Sequence, residues 1–350
     1  MAKKIIHVVG TGTIGEPLIG LMTHFQKELG IDEVTFHKHS VSDRPKVKAL
    51  VNRGARLAVD ADKMEAFKAA GMTPVLNHEQ ALEQASVVID CSPKGLDMKE
   101  NVYKKYEHNT LGFIAQGSEF GFGKMYARGI NDEVVTEADK YIHVVSCNTH
   151  NLSCLLQTLV LSEGDDNLVE GSFVCMRRAN DISQVKDFCP APQVGSHKDG
   201  KFGTHHARDA FHLFQTKGLD LNLFSSAVKL NTQYMHSLWF DLRLKRPTTL
   251  DALKAKIKAN DRIAVTDKKD ANTVFSFGRD QGHFGRILNQ TVIPLSTLTM
   301  PHENRVVGFC FTPQDGNSLL SSLAAALRFI HPNDWESRIQ VLKPFFFDEV

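Results

Sequence analysis

Short apolar runs alternate with helix-like segments along the first 150 residues of the chain. Runs such as Ile5–Val9, Val34–Phe36 and Val87–Asp90 are short, continuous and rich in β-branched residues, which is typical of strands buried on both faces. Between the first two runs, Glu16–Leu29 spaces its apolar residues for a helix, and Gly30 follows as a stop signal. Strands that alternate with helices predict an α/β fold with a mostly parallel sheet that is covered on both faces.

The pattern changes in the second half of the chain. Strand-like segments such as Ser172–Arg178 and Val306–Phe311 are compatible with a sheet that is rich in antiparallel pairs. We therefore expect two domains. Residues 1–146 are predicted to form a Rossmann-type, doubly wound dinucleotide-binding domain, with a C-terminal helix at about 315–350 packed back on it. Residues 147–314 are predicted to form an α+β catalytic and oligomerisation domain with a mixed or antiparallel sheet.

Composition narrows the class of protein. The 350 residues are 42% hydrophobic and 23% charged with a net charge of +1, so charge gives no reason to expect nucleic acid or an anionic membrane as a partner. No run reaches the roughly 18 apolar residues of a membrane span, and the first residues lead into a strand without a secretory signal. The six cysteines lack C-x-x-C spacing, which favours neither a zinc site nor a disulfide framework. We expect a cytoplasmic protein without a metal site.

A glycine motif, Gly10-Thr11-Gly12-Thr13-Ile14-Gly15, directly follows the first apolar run and opens the first helix. In that context G-x-G-x-x-G indicates a dinucleotide site, where glycines allow a tight turn and the helix N-terminus meets the pyrophosphate. Two later strands end in Ser92-Pro93 and in Gln116-Gly117. Because ligands bind at the carboxyl ends of strands in this fold, we expect these four residues to border the nicotinamide.

The end of the second apolar run bears on the choice of cofactor. An NAD-selective site has a carboxylate here for the ribose 2′-hydroxyl. The chain instead has His37-Lys38-His39-Ser40, with Arg44 nearby and no acid placed to repel a phosphate. Cations and a hydroxyl suit a 2′-phosphate, so Lys38 and Ser40 predict an NADP-tolerant or NADP-preferring site. Asp43 lies three residues past Ser40 and keeps NAD open.

Cys147 lies on a predicted strand-to-helix turn in the stretch Val144–Leu152. A cysteine there is near the positive end of a helix dipole, which favours the thiolate over the thiol. Ser146, Asn148 and Thr149 are residue types that cap a helix N-terminus. The context therefore predicts a reactive cysteine rather than one more buried thiol.

Basic side chains follow in the second half. Arg177 and Arg178 end a strand, and guanidinium groups bind phosphate or carboxylate with bidentate geometry. His205 and His206 follow a loop rich in Gly, Ser and Lys, where anion binding fits better than metal binding. His236 lies in an apolar stretch and is a candidate proton donor and acceptor for the reactive cysteine.

These elements together resemble the archaeal-type (type II) phosphorylating glyceraldehyde-3-phosphate dehydrogenases. The resemblance spans roughly residues 3–328 and rests on motifs in the same order with similar spacing: Gly10–Gly15, Asp90-Cys91-Ser92-Pro93-Lys94-Gly95, Gln116-Gly117, Val145-Ser146-Cys147-Asn148-Thr149, Met176-Arg177-Arg178-Ala179, His205-His206 and Met235-His236. It implies an NADP- or NAD-dependent homotetramer of glycolysis or gluconeogenesis that acts on a phosphorylated aldehyde and inorganic phosphate through a thioester.

The resemblance also implies residue roles. Cys147 would be the nucleophile and His236 its acid/base partner, and Lys38 would lie near the adenosine ribose. Residues that would bind substrate or phosphate are Ser146, Asn148, Thr149, Arg177, Arg178, His205 and His206. The cofactor would be held by Gly10, Gly12, Thr13, Ile14, Gly15, Lys38, Ser40, Ser92, Pro93, Gln116 and Gly117.

The chain departs from the family pattern at His150, Asn151, Asn180 and Ala207-Arg208, and its tail past Arg328 is longer. His150, close to the proposed nucleophile, leaves the substrate open. Two alternatives to the glyceraldehyde-3-phosphate dehydrogenase hypothesis therefore remain open. One is a related acyl-phosphate reductase such as a semialdehyde dehydrogenase, and the other is a non-catalytic nicotinamide-binding protein.

The tail carries three consecutive phenylalanines, Phe345-Phe346-Phe347. Exposed aromatic side chains at a chain end would promote aggregation. We therefore expect them to be docked on this or a neighbouring subunit.

Overall fold

The computed structural model describes residues 3–162, 166–182, 184–185, 188–313 and 315–350. The elements up to residue 145 are β1 (Ile5–Val9), α1 (Gly15–His24), β2 (Glu33–His37), α2 (Arg44–Asn52), β3 (Arg56–Val59), α3 (Met64–Ala69), β4 (Leu76–Asn77), α4 (His78–Gln84), β5 (Val87–Asp90), α5 (Gly95–Asn101), β6 (Gly112–Gly117), β7 (Lys124–Tyr126) and β8 (Tyr141–Val145).

The elements that follow are α6 (Cys147–Leu159), β9 (Leu168–Arg177), β10 (Gln193–Val194), α7 (His205–Gln215), β11 (Leu223–Lys229), β12 (His236–Leu244), α8 (Leu250–Ala259), β13 (Ile263–Thr266), α9 (Ala271–Gln281), β14 (Thr291–Pro294), β15 (Thr299–His302), β16 (Arg305–Thr312), α10 (Gly316–Ile330) and α11 (Trp335–Ile339).

The chain divides into two compact units. The first contains the described residues up to Tyr126 together with Val135–Val144 and Leu319–Lys343. The second contains the described residues of Ala127–Val134, Val145–Ser318 and Pro344–Val350. Each unit therefore combines segments that are distant along the chain.

Strands β1 to β8 form one parallel sheet in the order β4-β3-β2-β1-β5-β6-β8-β7. Every residue of β1, β2 and β5 is buried, which explains their continuous apolar runs. The strand order reverses between β1 and β5, and doubly wound sheets bind ligands in the crevice at such a reversal. The predicted Rossmann-type sheet is confirmed.

The second sheet is mixed, as predicted. Its order is β10-β11-β9-β12-β16-β14-β13, and β15 pairs with β16. Strand β9 pairs parallel with β11 and antiparallel with β12, which in turn pairs antiparallel with β16. Helix α6 packs against β14 and β16, so its first residues lie beside the strands of this sheet.

Several local predictions differ from the structure. The first helix ends at His24 instead of Leu29, because residues 25–30 form turns instead of a regular helix. Strands β3 and β11 and helix α9 were not predicted. Helix α9 contains Asn, Thr, Val, Phe and Gly residues, whose helix propensity is low, so the sequence does not indicate a helix there.

The phenylalanine tail is docked on its own chain, as predicted. The ring of Phe347 lies 5.0 Å from that of Phe277, and the ring of Phe345 lies 5.0 Å from that of His283. The main-chain N–H of Val350 donates to Val265 O at 2.9 Å. The last residues therefore complete the second unit.

Candidate active site

The three glycines of the first turn have different surroundings. Gly10 has φ 95°, a conformation that favours glycine, and a Cβ on Gly15 would lie 2.1 Å from Gly10 O. A Cβ on Gly12 would meet nothing within 4 Å, and Gly12 is exposed. The loop is therefore tightly packed at Gly10 and Gly15 and open at Gly12, next to the start of α1. An open backbone at a helix N-terminus fits the pyrophosphate of a dinucleotide.

Asp90 organises the neighbouring turn at the end of β5. The hydroxyl of Tyr103 donates to Asp90 Oδ2 at 2.5 Å, and the N–H of Ser92 donates to Oδ1 at 2.7 Å. Burial raises the pKa of Asp90, although both hydrogen bonds oppose that shift. This turn borders the glycine loop, since a Cβ on Gly10 would lie 3.4 Å from the carbonyl of Cys91. Ser92 is thus held at the sheet edge by a carboxyl group that sequence reasoning did not single out.

The end of β6 is held from two sides within the first unit. Gln116 Nε2 donates to the hydroxyl of Ser322 at 2.6 Å, and His143 Nε2 donates to Gly117 O at 2.9 Å. Gly117 has φ 80°, and a Cβ there would meet nothing within 4 Å. Pro93, the fourth predicted neighbour of the nicotinamide, is exposed.

The sequence indicates no acid that would repel a 2′-phosphate at the end of β2, apart from the open question of Asp43, but the structure brings a second acid, Asp60, to this end of the strand. Asp60 follows β3, and its carboxylate oxygens lie 2.9 Å from His37 Nε2 and 2.8 Å from His39 Nδ1. Burial acts to raise the pKa of Asp60, but hydrogen bonds from Lys63 and His37 outweigh it and lower the pKa to about 2. The acid comes from the neighbouring strand β3, which the sequence pattern did not predict.

Lys38 and Ser40 lie in the loop between β2 and α2. Lys38 Nζ lies 3.8 Å from Asp43 Oδ2, and the hydroxyl of Ser40 hydrogen-bonds that of Ser42 at 2.8 Å. Asp43 precedes α2 in a left-handed conformation at φ 53°. Cations and carboxylates therefore alternate along this loop.

Cys147 is the first residue of α6, directly after β8, as predicted. Ser146 is the N-cap, and its hydroxyl accepts from the N–H of Thr149 at 3.5 Å. Asn148 Oδ1 accepts from the hydroxyl of Thr312 at 2.9 Å, which ties the first turn of α6 to β16. Cys147 is partly exposed while Asn148 and Thr149 are buried.

The expectation of a thiolate at Cys147 is not met in this structure. Although part of Cys147 is exposed, desolvation of its sulfur by the surrounding protein raises the pKa of the thiol to about 12, and the charge of Asp315 adds to the shift. Arg178 and the N–H of Asn148 act in the opposite direction but do not outweigh burial. The thiol is therefore protonated at neutral pH, because desolvation disfavours its anion.

His236 begins β12 and meets Arg178 at the end of β9. The Arg178 N–H donates to His236 Nδ1 at 3.0 Å, which assigns the ring proton of a neutral imidazole to Nε2. Burial lowers the pKa of His236 well below its usual value, and Arg178 and Arg177 add to the shift. His236 pairs across the sheet with Thr312, the residue that hydrogen-bonds Asn148. The strand register therefore brings His236 to the Cys147 end of α6.

Arg177, His205 and His206 form a basic group near His236. The rings of His205 and His206 are 3.9 Å apart, and burial, aided by Arg177 and Arg208, lowers the pKa of His205 to about 4. His206 is buried, and neither of its ring nitrogens has a hydrogen-bond partner among the described residues. Buried polar atoms without partners are rare, and together with Arg177 they indicate a site for an anionic group.

The residues that depart from the family pattern have structural contacts. His150 Nδ1 donates to Ser146 O at 3.0 Å, and Asn151 Nδ2 donates to the hydroxyl of Thr312 at 2.8 Å. Arg208 donates through Nε and Nη2 to Asp209 Oδ1. His150 and Asn151 are fully buried, so they join α6 to its surroundings.

Sequence reasoning missed Thr312, Asp315 and Asn317. Asn317 Nδ2 donates to Cys147 O at 3.0 Å, and Asp315 Oδ2 lies 3.5 Å from Arg178 Nη2. These residues lie far from Cys147 along the chain and in no motif, so only the folded chain identifies them.

Within the described ranges, no group of three or more His, Cys, Asp or Glu residues is arranged to hold a metal ion. No helix in the described part of the chain is long and apolar enough to cross a membrane.

No protein-family model matches the chain. Over most of its length the chain is similar to archaeal proteins named glyceraldehyde-3-phosphate dehydrogenase. The protein from Pyrobaculum neutrophilum is 25% identical over 288 residues, which cover 79% of this chain and 78% of the relative. Glyceraldehyde-3-phosphate dehydrogenase 1 of Methanosarcina barkeri is 26% identical over 297 residues, which cover 80% of this chain and 79% of the relative. The protein of Methanobacterium formicicum is 28% identical over 76% and 75%.

Proposed function

We propose that the chain is an NAD(P)-dependent, phosphorylating glyceraldehyde-3-phosphate dehydrogenase of the archaeal type. The observation that carries the proposal is the group formed by Cys147 at the start of α6, His236 with its proton on Nε2, and Arg178, whose N–H binds the His236 ring and whose charge acts on the thiol. The names of the archaeal relatives support the same reaction class, an oxidoreductase with a nicotinamide cofactor and a phosphorylated aldehyde as substrate.

Cys147 is the proposed nucleophile. Its sulfur forms a bond to the aldehyde carbon while the thiol proton leaves to solvent, and the carbonyl oxygen gains negative charge. His236 is neutral and carries its proton on Nε2, so it donates a hydrogen bond to that oxygen. The main-chain N–H of Arg178 holds the ring in this tautomer.

Oxidation then gives a thioester on Cys147. A bound nicotinamide would supply the acceptor for the hydride that leaves the substrate carbon. A thioester keeps enough acyl-transfer free energy for phosphate to attack it. That attack forms the carbon–oxygen bond, breaks the carbon–sulfur bond and releases an acyl phosphate with the sulfur restored.

The basic group is proposed to bind the anions of the reaction. Arg177, Arg178, His205 and His206 are the proposed ligands of the substrate phosphate or inorganic phosphate, with Ser146, Asn148 and Thr149 lining the cysteine side. The unpartnered ring of His206 supports this assignment, because an anionic oxygen would accept a hydrogen bond from the ring nitrogen that carries the proton.

The first unit is proposed to hold NADP, NAD or both. The open backbone at Gly12, with Thr13 and Ile14 leading into α1, is proposed to hold the pyrophosphate. Lys38 and Ser40 would face the adenosine ribose, and Ser92, Pro93, Gln116 and Gly117 the nicotinamide. The first unit is the proposed cofactor domain and the second unit is the proposed catalytic domain. The boundaries expected from the sequence, 1–146 with 315–350 and 147–314, differ from these units because Ala127–Val134 and Pro344–Val350 belong to the second unit.

We propose that the protein is a homotetramer and that one face of the second sheet forms a subunit interface. Phe309 is 41% exposed and pairs across the strands with Trp239, which pairs with Val174. Directly paired residues project on the same face, so three adjacent apolar side chains share one partly exposed surface. Light scattering of the purified protein tests the subunit number.

An oxidation assay tests the function. Glyceraldehyde 3-phosphate, aspartate semialdehyde and acetylglutamate semialdehyde are each supplied with NAD or NADP, with and without phosphate. We expect phosphate-dependent oxidation of the triose phosphate, and a preference for a semialdehyde would refute the proposed substrate.

Two variants test the proposed roles. Cys147→Ser should lower turnover by several orders of magnitude and leave cofactor affinity unchanged. His236→Asn should lower kcat by about 100-fold or more, because the hydrogen bond to the developing oxyanion is lost. Cys154→Ser is the matched control, since Cys154 is another cysteine of α6 but is fully buried. Near-normal activity of Cys147→Ser would contradict the mechanism.

A further inference from the structure

The turn that opens α10 contacts the backbone of the proposed nucleophile. Asn317 Nδ2 donates to Cys147 O at 3.0 Å. Gly316 packs so closely on Ile287 that a Cβ would lie 1.8 Å from the Ile287 carbonyl oxygen. Asp315 has φ 57°, a left-handed conformation that costs free energy in a residue other than glycine. The turn is therefore fixed directly after Asp315 by the packing of Gly316 and the hydrogen bond of Asn317.

Two carboxylates share the guanidinium of Arg178. Asp181 Oδ1 accepts from Arg178 Nη2 at 2.9 Å, and Asp315 Oδ2 lies 3.5 Å from the same nitrogen. The side chain of Asp181 is 46% exposed, whereas that of Asp315 is 7% exposed. Solvent screens the first charge far more than the second, so the buried carboxylate has the stronger field in the site.

The charge of Asp315 acts on the sulfur of Cys147. After burial, Asp315 is the largest cause that raises the pKa of the thiol, Arg178 lowers it, and Asp181 makes a smaller contribution. Asp315 itself faces Arg178, Arg286 and Asp181, and burial raises its own pKa. The charge of Arg178 therefore acts on both the carboxylate of Asp315 and the sulfur of Cys147.

We infer that Asp315 is a positioning residue: it lies two residues before Asn317, which hydrogen-bonds Cys147 O, and its buried carboxylate holds the Arg178 guanidinium in the site and so controls the reactivity of the sulfur. The inference deepens the proposed function, because it names a residue that controls the proposed nucleophile. A protonated sulfur resists alkylation and oxidation, since the thiolate is the reactive form. The resting site is therefore protected by a residue outside the sequence motifs.

Alkylation of Cys147 by iodoacetamide, followed by mass spectrometry of its peptide, tests the inference. The rate is measured at fixed pH values between 6 and 9 in the wild type, Asp315→Asn, Asp315→Glu and Asp181→Asn. Over this range the rate is proportional to the thiolate fraction, so a lower midpoint appears directly as faster labelling at each pH. Asp315→Asn has nearly the same shape without the charge, and it should move the midpoint about one pH unit lower. Labelling below the midpoint is then about tenfold faster, since one pKa unit is a factor of ten.

The two other variants are matched controls. Asp315→Glu keeps the charge and should keep the midpoint near that of the wild type. Asp181→Asn removes the exposed carboxylate from the same guanidinium and should move the midpoint by less than half as much. An unchanged midpoint in Asp315→Asn, or an equal shift in Asp181→Asn, overturns the inference.

If circular dichroism shows that Asp315→Asn does not fold, Arg178→Met provides a second test of the inference. It removes the cation and leaves the carboxylate, so the midpoint should rise and labelling should slow. Faster or unchanged labelling overturns the inference. Alkylation needs no substrate, so the two hypotheses can fail separately. If Asp315→Asn is labelled faster as expected but the wild type does not oxidise the aldehyde, only the proposed function is refuted. If the wild type oxidises the aldehyde but Asp315→Asn is labelled at the wild-type rate, only the inference is refuted.

Discussion

One added methyl group should separate stability from cofactor binding in the glycine loop. A Cβ on Gly15 would lie 2.1 Å from Gly10 O and 3.3 Å from the Cβ of Cys91, so the loop must open by at least about 1.3 Å to reach an ordinary contact of 3.4 Å. Overpacking of this kind costs about 1–3 kcal/mol. A Cβ on Gly12 meets nothing within 4 Å, so Gly12→Ala should change the free energy of unfolding by no more than about 0.5 kcal/mol.

Cofactor affinity should be sensitive to a methyl group at Gly12, the position where stability is not. Gly12→Ala puts the methyl group on the open side of the loop, where the pyrophosphate is proposed to approach, and affinity should fall at least about tenfold, or 1.4 kcal/mol. Urea unfolding measures the stability, and fluorescence titration with NAD and NADP measures the affinity. Wild-type affinity in Gly12→Ala would refute the proposed pyrophosphate site. Wild-type stability in Gly15→Ala would refute the packing argument.

Two further predictions concern buried polar groups of the first unit. Burial lowers the pKa of His78 to about 3, and its ring lies 4.0 Å from that of His37. Its contribution to stability is complete above pH 6.5 and is lost as the pH falls toward 3, so the free energy of unfolding should drop by up to about 1.4 kcal/mol per pH unit. Urea unfolding between pH 7 and 4 should show a smaller decrease in the free energy of unfolding for His78→Gln than for the wild type. An equal decrease in both proteins would contradict the lowered pKa of His78. Tyr103→Phe removes the hydroxyl that donates to Asp90 and should cost about 1–3 kcal/mol in the same assay, whereas unchanged stability would mean that this hydrogen bond contributes nothing.

The parts predicted correctly from the sequence depend on neighbours along the chain. Gly10–Gly15 lie between β1 and α1, and Cys147 lies between β8 and α6, so a strand, a turn and a helix are all visible in one short stretch. The local pattern therefore gave the sheet class and the two turns that carry the candidate chemistry. The docked tail followed from the general cost of exposed aromatic side chains.

The parts that were missed depend on pairing between distant segments. Asp60 reaches His37 because β3 pairs with β2, and Thr312 reaches Asn148 from β16. The predicted thiolate was wrong for the same reason. A helix dipole can be read from local sequence, whereas the burial of Cys147 and the charge of Asp315 arise only when α6 and the turn before α10 come together.

The return of Leu319–Lys343 to the first unit affects how the protein is made. Ser322 hydrogen-bonds Gln116, the ring of Phe329 occupies the space beside Gly112, and His331 Nε2 donates to Gly30 O. A nascent chain that has just reached residue 144 lacks all three partners. At about 5–20 residues per second, a ribosome needs roughly ten to forty seconds to supply them. During that interval the surface of the parallel sheet that the last helices later cover is exposed to solvent. We expect chaperones to bind at this surface.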